Sequence, residues 1–184
     1  MNKTIITDVA KYEKGWIGGL PETPCGYGSR LNQTKVQRTW IPAMVAKYGI
    51  KTIGDIGAGD LNWIEHVEWP KRVSYEAYDL VPRKPEVKPL DLIHEVPPQR
   101  DLLLCLWLLN HLPADHAKAA QDNLLASGSE YVMVTWWDEM DSILDLKPIE
   151  ETIIRTNYNR AGREITYWLR LIKNERFESN QRTD

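Results

Sequence analysis

The chain has 184 residues and a formal net charge of −3, with 42% hydrophobic and 27% charged residues. These values are typical of one folded domain, and they exclude a wholly disordered, collagen-like or coiled-coil chain. The negative net charge also argues against a general nucleic-acid binder, although both ends of the chain are basic and its middle is acidic.

Residues 1–30 are rich in Gly, Pro and Thr and predict an irregular N-terminal arm, followed by a single domain over 31–184. Hydrophobic residues at helical spacing predict a helix over 32–48. Pro42 lies inside that pattern, so we expect either a kinked helix or two short ones.

The rest of the chain alternates between strand patterns and helix patterns. This order predicts an α/β fold: a Rossmann-like, mostly parallel sheet with an antiparallel C-terminal hairpin and a reduced number of crossover helices. Segments 81–89 and 94–99 are too short to hold such a helix, so the strand order stays open. The expected strands are 51–57, 74–80, 90–93, the start of 100–109, 130–137, 148–158 and 163–172, and the expected helices are 61–69 and 114–126.

Membrane, metal and disulfide chemistry are not expected. No apolar run reaches the ~18 residues that span a bilayer, and the N-terminus lacks the apolar core of a signal peptide. Cys25 and Cys105 are far apart, and with the four histidines they match no zinc-ligand spacing. We therefore expect a cytoplasmic protein with free thiols and no bound metal.

Acidic residues come at the ends of the first three expected strands, as Asp55, Asp79 and Asp91. Ligands of an open parallel sheet bind beyond the carboxyl ends of its strands, so these acids should meet in one crevice. Gly57 and Gly59 would let the backbone pass close to a ligand there.

The same turn lacks the features of a phosphate site. A dinucleotide fingerprint expects a third glycine where this chain has Asn62, and no Gly-Lys-Ser/Thr follows. Asp55 and Asp60 would repel a pyrophosphate. A ligand with a cationic sulfonium, a cationic amine and ribose hydroxyls fits this acidic turn better.

Five motifs occur in a fixed order: GYGS (26–29), DIGAGDLNW (55–63), DLVP (79–82), the apolar segment 90–113 that ends in NHLP, and GREITYWLRL (162–171). In this order they resemble the class I S-adenosylmethionine-dependent methyltransferases, and more closely a small family found in bacteria and phages. The resemblance covers most of residues 26–172. It implies a methyltransferase that uses S-adenosylmethionine as its cofactor.

The resemblance also implies a role for each motif. Asp79 would accept hydrogen bonds from the ribose hydroxyls, and Asp91 with the backbone of Leu92 would meet the adenine. In relatives a helix follows the D-x-VP motif, whereas this chain has a short proline-bearing loop there. The implied cofactor contacts are Gly28, Ser29, Asp55, Gly57, Ala58, Gly59, Asp60, Trp63, Asp79, Leu80, Asp91, Leu92, Cys105, Leu106 and Trp107.

His111 follows the fourth expected strand, where many small-molecule methyltransferases place a histidine beside the acceptor. It is the candidate general base, with packing against the next helix as the alternative. Trp136 and Trp137 end the fifth strand, and one of them is expected to line the acceptor pocket.

The acceptor itself is not assigned by the sequence. No Asn/Asp-Pro-Pro-Tyr/Phe signature follows the fourth expected strand, which argues against methylation of amino groups on DNA bases. We expect a small molecule or a sugar. Two alternatives stay open: a non-catalytic cofactor-binding interaction protein, and a nucleic-acid methyltransferase steered by the basic ends.

Overall fold

The computed structural model describes residues 21–137, 140, 146–158 and 162–177. Within these ranges seven strands form one sheet, in the order β3-β2-β1-β4-β5-β7-β6. Strands β1 to β5 pair in parallel, while β7 is antiparallel to both β5 and β6. The strands are β1 (Thr52–Ile56), β2 (Ser74–Asp79), β3 (Val87–Pro89), β4 (Leu102–Cys105), β5 (Tyr131–Trp137), β6 (Pro148–Tyr158) and β7 (Glu164–Lys173), and the α-helices are α1 (Lys35–Lys47) and α2 (Ala114–Ala126).

This architecture confirms the predicted α/β fold with its mostly parallel sheet, its antiparallel hairpin and its few helices. Strand order reverses between β1 and β4, because the chain first builds outward through β2 and β3 and then returns to add β4 and β5. In open parallel sheets such a switch point leaves a crevice at the carboxyl ends of the strands.

The central strand β4 is apolar along its whole length because both of its faces are covered. Leu102 and Leu104 pack in the same cluster as Ile41 of α1, whereas Leu103 and Cys105 pack in the cluster that contains α2. All four strand residues are 0–1% exposed. Burial of a leucine side chain stabilises a fold by about 1.5–3 kcal/mol, so β4 anchors the two layers to each other.

The connection from β2 to β3 explains how parallel strands pair without a crossover helix. Strand β3 has only three residues, and its register places Val87 beside Ala77 and Pro89 beside Asp79. The chain must therefore return by only about two residues, or ~7 Å, to begin β3. The proline-bearing loop 80–86 is long enough for that distance.

Two predictions of secondary structure were wrong. The segment 61–69 forms only a 3₁₀-helix at Ile64–His66, because Leu61 adopts a left-handed φ of 61° and Pro70 restricts the backbone before it. The regularly spaced apolar residues of this segment are buried even though the segment does not form a full helix. The third strand is Val87–Pro89 and not 90–93, and residues 90–93 form the turn that follows it.

Helix α1 runs without interruption through Pro42, so the two-helix alternative was wrong. The expected N-terminal arm is described only over residues 21–30, where Tyr27–Ser29 form a 3₁₀-helix; residues 1–20 lie outside the described part. Among the helices of the described part, none combines the length and the apolar character needed to cross a bilayer.

Candidate functional site

A cavity of about 330 Å³ lies where the carboxyl ends of the parallel strands meet the N-terminal segment. Its volume is within the range of small-ligand pockets. Fourteen of the residues singled out from the sequence line it: Gly28, Ser29, Asp55, Gly57, Ala58, Gly59, Trp63, Asp79, Leu80, Asp91, Leu92, Leu106, Trp107 and His111. The structure thus brings these residues together, while their assignment to a cofactor stays a prediction.

The turn after β1 is shaped by two glycines with positive φ, Gly57 at 81° and Gly59 at 62°. The carbonyl of Tyr78 accepts hydrogen bonds from the N–H groups of Gly57 at 2.8 Å and of Ala58 at 3.1 Å, which fixes the turn against β2. A Cβ on Gly59 would lie 2.7 Å from Cys25 Sγ. The backbone can therefore pass close to the cavity only because these side chains are absent.

Asp79, at the end of β2, is held by the backbone on both of its oxygens. The N–H of Gly59 donates to Oδ2 at 2.8 Å, and the N–H of Val81 donates to Oδ1 at 2.9 Å. Burial raises the pKa of this carboxyl, and the two backbone hydrogen bonds oppose that rise. Each oxygen keeps a second lone pair, so Asp79 is oriented to accept hydrogen bonds from two neighbouring hydroxyls.

Asp55, in β1, is the most buried acid of the cavity, at 5% exposure. The hydroxyl of Tyr75 donates to its Oδ2 at 2.6 Å. Burial raises the pKa of Asp55 to about 7, the nearby charge of Asp79 adds to the rise, and the hydrogen bond from Tyr75 opposes it. A cation bound beside Asp55 would favour its ionised form.

Asp91 lies in the turn directly after β3, one residue beyond Leu90, whose N–H donates to the Asp79 carbonyl at 3.0 Å. Its Oδ1 accepts from the N–H of Ile93 at 3.0 Å, and its Oδ2 lies 2.8 Å from Nδ1 of His94. Asp91 therefore lines the cavity even though residues 90–93 do not form the predicted strand.

Two of the implied contacts lie outside the cavity lining. Asp60 accepts a hydrogen bond from the N–H of Asn62 at 3.3 Å and closes the turn that follows the glycines. Cys105 is 1% exposed within β4, and burial raises the pKa of its thiol. Their side chains serve the turn and the core.

His111 reaches the cavity from the 3₁₀-helix Leu109–His111 that follows β4. Its side chain is exposed, and its Nε2 lies 3.3 Å from Nδ2 of Asn110, which also lines the cavity. The structure therefore places His111 at the cavity, and its role as a general base stays a prediction.

The expectation that Trp136 or Trp137 lines the pocket was wrong. Trp136 is 1% exposed in the core beneath α2, and Trp137 packs beside Tyr167, with ring centroids 6.5 Å apart. Tyr167 of β7 pairs opposite Trp137 and lines the cavity instead.

Sequence reasoning also missed the cationic end of the cavity. Arg155 of β6 lines it, and the guanidinium carbon lies 5.5, 5.0 and 4.7 Å from the ring centroids of Tyr27, Trp107 and Tyr167. We call these three rings the aromatic cage. No sequence spacing links them, because the N-terminal segment, the end of β4 and the hairpin meet only through the strand order β5-β7-β6. Arg83, Cys25 and Asn110 are further lining residues that were not predicted.

In the described ranges, no group of three or more His, Cys, Asp or Glu side chains is arranged so that it could hold a metal ion.

Comparison with known proteins identifies the fold of the chain and shows no closer relationship. No family model matches the sequence, and the search of curated proteins finds no match. Among solved structures, magnesium protoporphyrin IX methyltransferase from Synechocystis PCC 6803 with bound SAM is similar over 77% of this chain and 80% of its own, with a TM-score of 0.54 and 12% identity. The same enzyme with bound SAH is similar over 94% of this chain and 100% of its own, with a TM-score of 0.52 and 12% identity. The chain therefore has the fold of the class I S-adenosylmethionine-dependent methyltransferases.

Proposed function

We propose that this protein is an S-adenosylmethionine-dependent methyltransferase. The observation that carries the proposal is the convergence of Asp55, Asp79 and the Gly57–Gly59 turn on one cavity at the carboxyl ends of β1 and β2. The similar solved methyltransferase was crystallised with SAM and with SAH, which supports the same cofactor here.

The residues of the cavity fit this cofactor group by group. Asp79 has one lone pair left on each oxygen and would hold the ribose diol. Asp91 and the backbone of Leu92 would hold the adenine. Asp55 and the glycine turn would hold the amino end, where a positive charge favours the ionised carboxylate.

When bound, S-adenosylmethionine supplies a methyl group activated by sulfonium charge. The protein's share is to hold the acceptor in line with that methyl group, and such alignment can contribute about 7–11 kcal/mol to lowering the barrier. His111, at the open end of the cavity, is the proposed base that takes a proton from an acceptor hydroxyl or amine.

A small-molecule acceptor is the reading we favour. Tyr27, Gly28 and Ser29 of the N-terminal segment line the cavity together with the strand ends, and its volume of about 330 Å³ lies at the lower end of the range of small-ligand pockets. A nucleic-acid acceptor and a purely binding role are distinguished from this reading by the second experiment below.

The cofactor site is tested by calorimetric titration of S-adenosylhomocysteine into the wild-type protein and into Asp79→Asn. We expect the variant to bind at least about tenfold more weakly, because a charge-assisted hydrogen bond contributes about 1.5–3 kcal/mol. Asp122→Asn is the matched control, because Asp122 lies on α2 and pairs with Lys118 outside the cavity. Equal affinity in all three proteins would refute the site.

The activity is tested by incubation with methyl-labelled cofactor and a fractionated cell extract. Label in the small-molecule fraction supports the favoured acceptor class, and label in the nucleic-acid fraction supports the alternative. Tight cofactor binding without label in any fraction would support a non-catalytic binding protein.

A further inference from the structure

Arg155 introduces a cation into a cavity whose other charged residues are mainly acids. Its guanidinium carbon lies within 5.5 Å of all three ring centroids of the aromatic cage, Tyr27, Trp107 and Tyr167. Arginine stacks on aromatic faces in this way, and the stacked guanidinium keeps its N–H groups free at the edge of its plane. The cage therefore holds the arginine in place without using its hydrogen-bond donors.

The charge of Arg155 has no acidic partner in the described part of the chain. With its amide oriented to satisfy both of its hydrogen bonds, Asn157 accepts from Nε at 3.0 Å, and no ion pair forms with a described carboxylate. Arg170 of the same hairpin is the contrast: it stacks on Trp136 and Trp168 and its Nε donates to Glu151 at 2.9 Å. A half-buried charge without a counter-ion costs free energy, and a bound anion would recover it.

Two cavity-lining residues also keep a polar atom without a partner. Trp107 Nε1, in a ring of the cage, and Asn110 Oδ1 are buried and make no hydrogen bond. Native structures satisfy roughly 90% or more of such groups, so these two residues are unusual in each keeping a polar atom to which a ligand would supply a partner.

The strand that carries Arg155 is remote from the strands that carry the acids. Between β6 and β1 lie β7, β5 and β4, a separation of about 19 Å at the usual strand spacing. The long side chain of Arg155 reaches back over Trp107, which follows β4. The cation therefore faces the part of the cavity beyond the acids that would hold the nucleoside.

We infer that Arg155 binds an oxyanion of the methyl acceptor, so that the acceptor is a small molecule carrying a carboxylate or a phosphate. The inference rests on the proposed methyltransferase function. A guanidinium edge binds either group through two parallel N–H···O bonds, which orients the acceptor as well as holding it. The indole N–H of Trp107 and the amide oxygen of Asn110 would add one donor and one acceptor beside it.

The test uses simple aromatic probes with the protein saturated with S-adenosylhomocysteine. Benzoate and phenyl phosphate carry the two oxyanions, and benzamide is the neutral analogue of benzoate. Ligand-observed NMR titrations measure their affinities for the wild-type protein, Arg155→Gln, Arg155→Lys and Arg170→Gln. Calorimetry measures the S-adenosylhomocysteine affinity of each protein, and thermal unfolding checks that each is folded.

We expect one of the anions to bind the wild-type protein at least about tenfold more tightly than benzamide, as bidentate charge-assisted pairs do. Arg155→Gln should abolish this preference and change S-adenosylhomocysteine affinity by less than about twofold, while Arg170→Gln should leave both unchanged. Arg155→Lys should keep part of the preference, because a lysine keeps the charge and loses the two-point contact. The tighter of the two anions identifies the acceptor's group.

Three results would overturn the inference. One is equal affinity of the wild-type protein for benzamide and for both anions, or no binding of either anion. Another is a tenfold or greater loss of S-adenosylhomocysteine affinity in Arg155→Gln, which would assign the arginine to the cofactor's own carboxylate. The third is loss of the preference in Arg170→Gln as well as in Arg155→Gln. Failure of the proposed function looks different, because the wild-type protein would then either not bind S-adenosylhomocysteine or bind it without transferring label to any fraction of the extract.

Discussion

The two ends of the cavity differ in how completely their polar groups are satisfied. At the acidic end, both oxygens of Asp79 accept backbone N–H groups, and Asp55 accepts from Tyr75. At the Arg155 end, Trp107 Nε1 and Asn110 Oδ1 are buried without partners. The acidic end is organised before any ligand arrives, as a site for one constant cofactor should be. The Arg155 end keeps a guanidinium that has no acidic partner in the described part of the chain.

The largest expected effect is on the free energy of unfolding, and it comes from the buried carboxyl of Asp55 at the acidic end. The folded pKa of Asp55 is raised from 3.8 to about 7, so between about pH 4 and pH 7 the folded protein binds more protons than the unfolded chain. The free energy of unfolding should therefore fall as the pH rises through this window. Asp55→Asn removes that loss, and its stability relative to wild type should rise by up to about 4 kcal/mol from pH 4 to pH 8. Urea unfolding across this pH range measures it.

Tyr75→Phe is the matched variant for this prediction. It removes the hydroxyl that donates to Asp55 at 2.6 Å and keeps the ring that stacks on Trp69. Because that hydrogen bond lowers the pKa of Asp55, its loss should move the window to higher pH. A pH profile that is the same for wild type and Asp55→Asn would contradict the prediction.

The next largest effect is expected from a substitution at Gly59, in the turn that belongs to the acidic end. Gly59→Ala places a Cβ at a φ of 62° and 2.7 Å from Cys25 Sγ, so both backbone strain and a side-chain clash result. We expect a loss of about 2–3 kcal/mol in the free energy of unfolding and weaker S-adenosylhomocysteine binding. Denaturant unfolding and calorimetry measure the two.

Gly49→Ala separates strain from clash. Gly49 has a φ of 66° and nothing within 4 Å of the added Cβ, so its variant carries the backbone strain alone. It should lose about 1 kcal/mol and keep cofactor affinity. An equal loss for both variants would mean that the contact with the N-terminal segment at Cys25 contributes nothing.

The elements of the acidic end were accessible from sequence because each rests on a local signal. The strand patterns of 51–57 and 74–80 predicted β1 and β2, and the rule that carboxyl ends of parallel strands share one edge predicted that Asp55 and Asp79 would meet. Helix α2 was predicted over 114–126 and is observed over those residues, since it has uniform helical spacing and a glycine after it.

Sequence reasoning missed two kinds of feature, one that depends on the local backbone and one that depends on distant parts of the chain. The spacing of 61–69 is helical, yet the positive φ of Leu61 and the position of Pro70 leave only a 3₁₀-helix at Ile64–His66. The aromatic cage brings Tyr27, Trp107 and Tyr167 together around Arg155, and these residues become neighbours only once β7 inserts between β5 and β6. The periodicity of the sequence does not predict that β7 lies between β5 and β6.

A smaller effect is expected at the Arg155 end when the indole N–H of Trp107 is removed. Trp107→Phe keeps an aromatic ring beneath Arg155 and removes the unpaired Nε1 donor. Since that buried N–H has no partner, its loss should change the free energy of unfolding by less than about 1 kcal/mol. Trp136→Phe, in the core at 1% exposure, should cost more because packing is lost. A greater loss for Trp107→Phe than for Trp136→Phe in urea unfolding would contradict a ligand-directed role for the indole N–H.

The smallest effect concerns Cys25, which lines the acidic end beside Gly59. Burial raises the pKa of its thiol to about 12, and the charge of Asp60 adds to the rise, so on the order of 10⁻⁴ of it is thiolate at pH 8. Iodoacetamide should therefore modify it far more slowly than an exposed thiol, and the rate should rise about tenfold for each pH unit up to about pH 10 without a plateau. Cys25→Ala should change S-adenosylhomocysteine affinity by less than about twofold, because the polar contacts of the thiol are with Asp60, which does not line the cavity. The rate is followed by mass spectrometry of the Cys25 peptide. A plateau at lower pH would mean that the thiol ionises readily and that burial at the cavity wall disfavours the thiolate less than the structure implies.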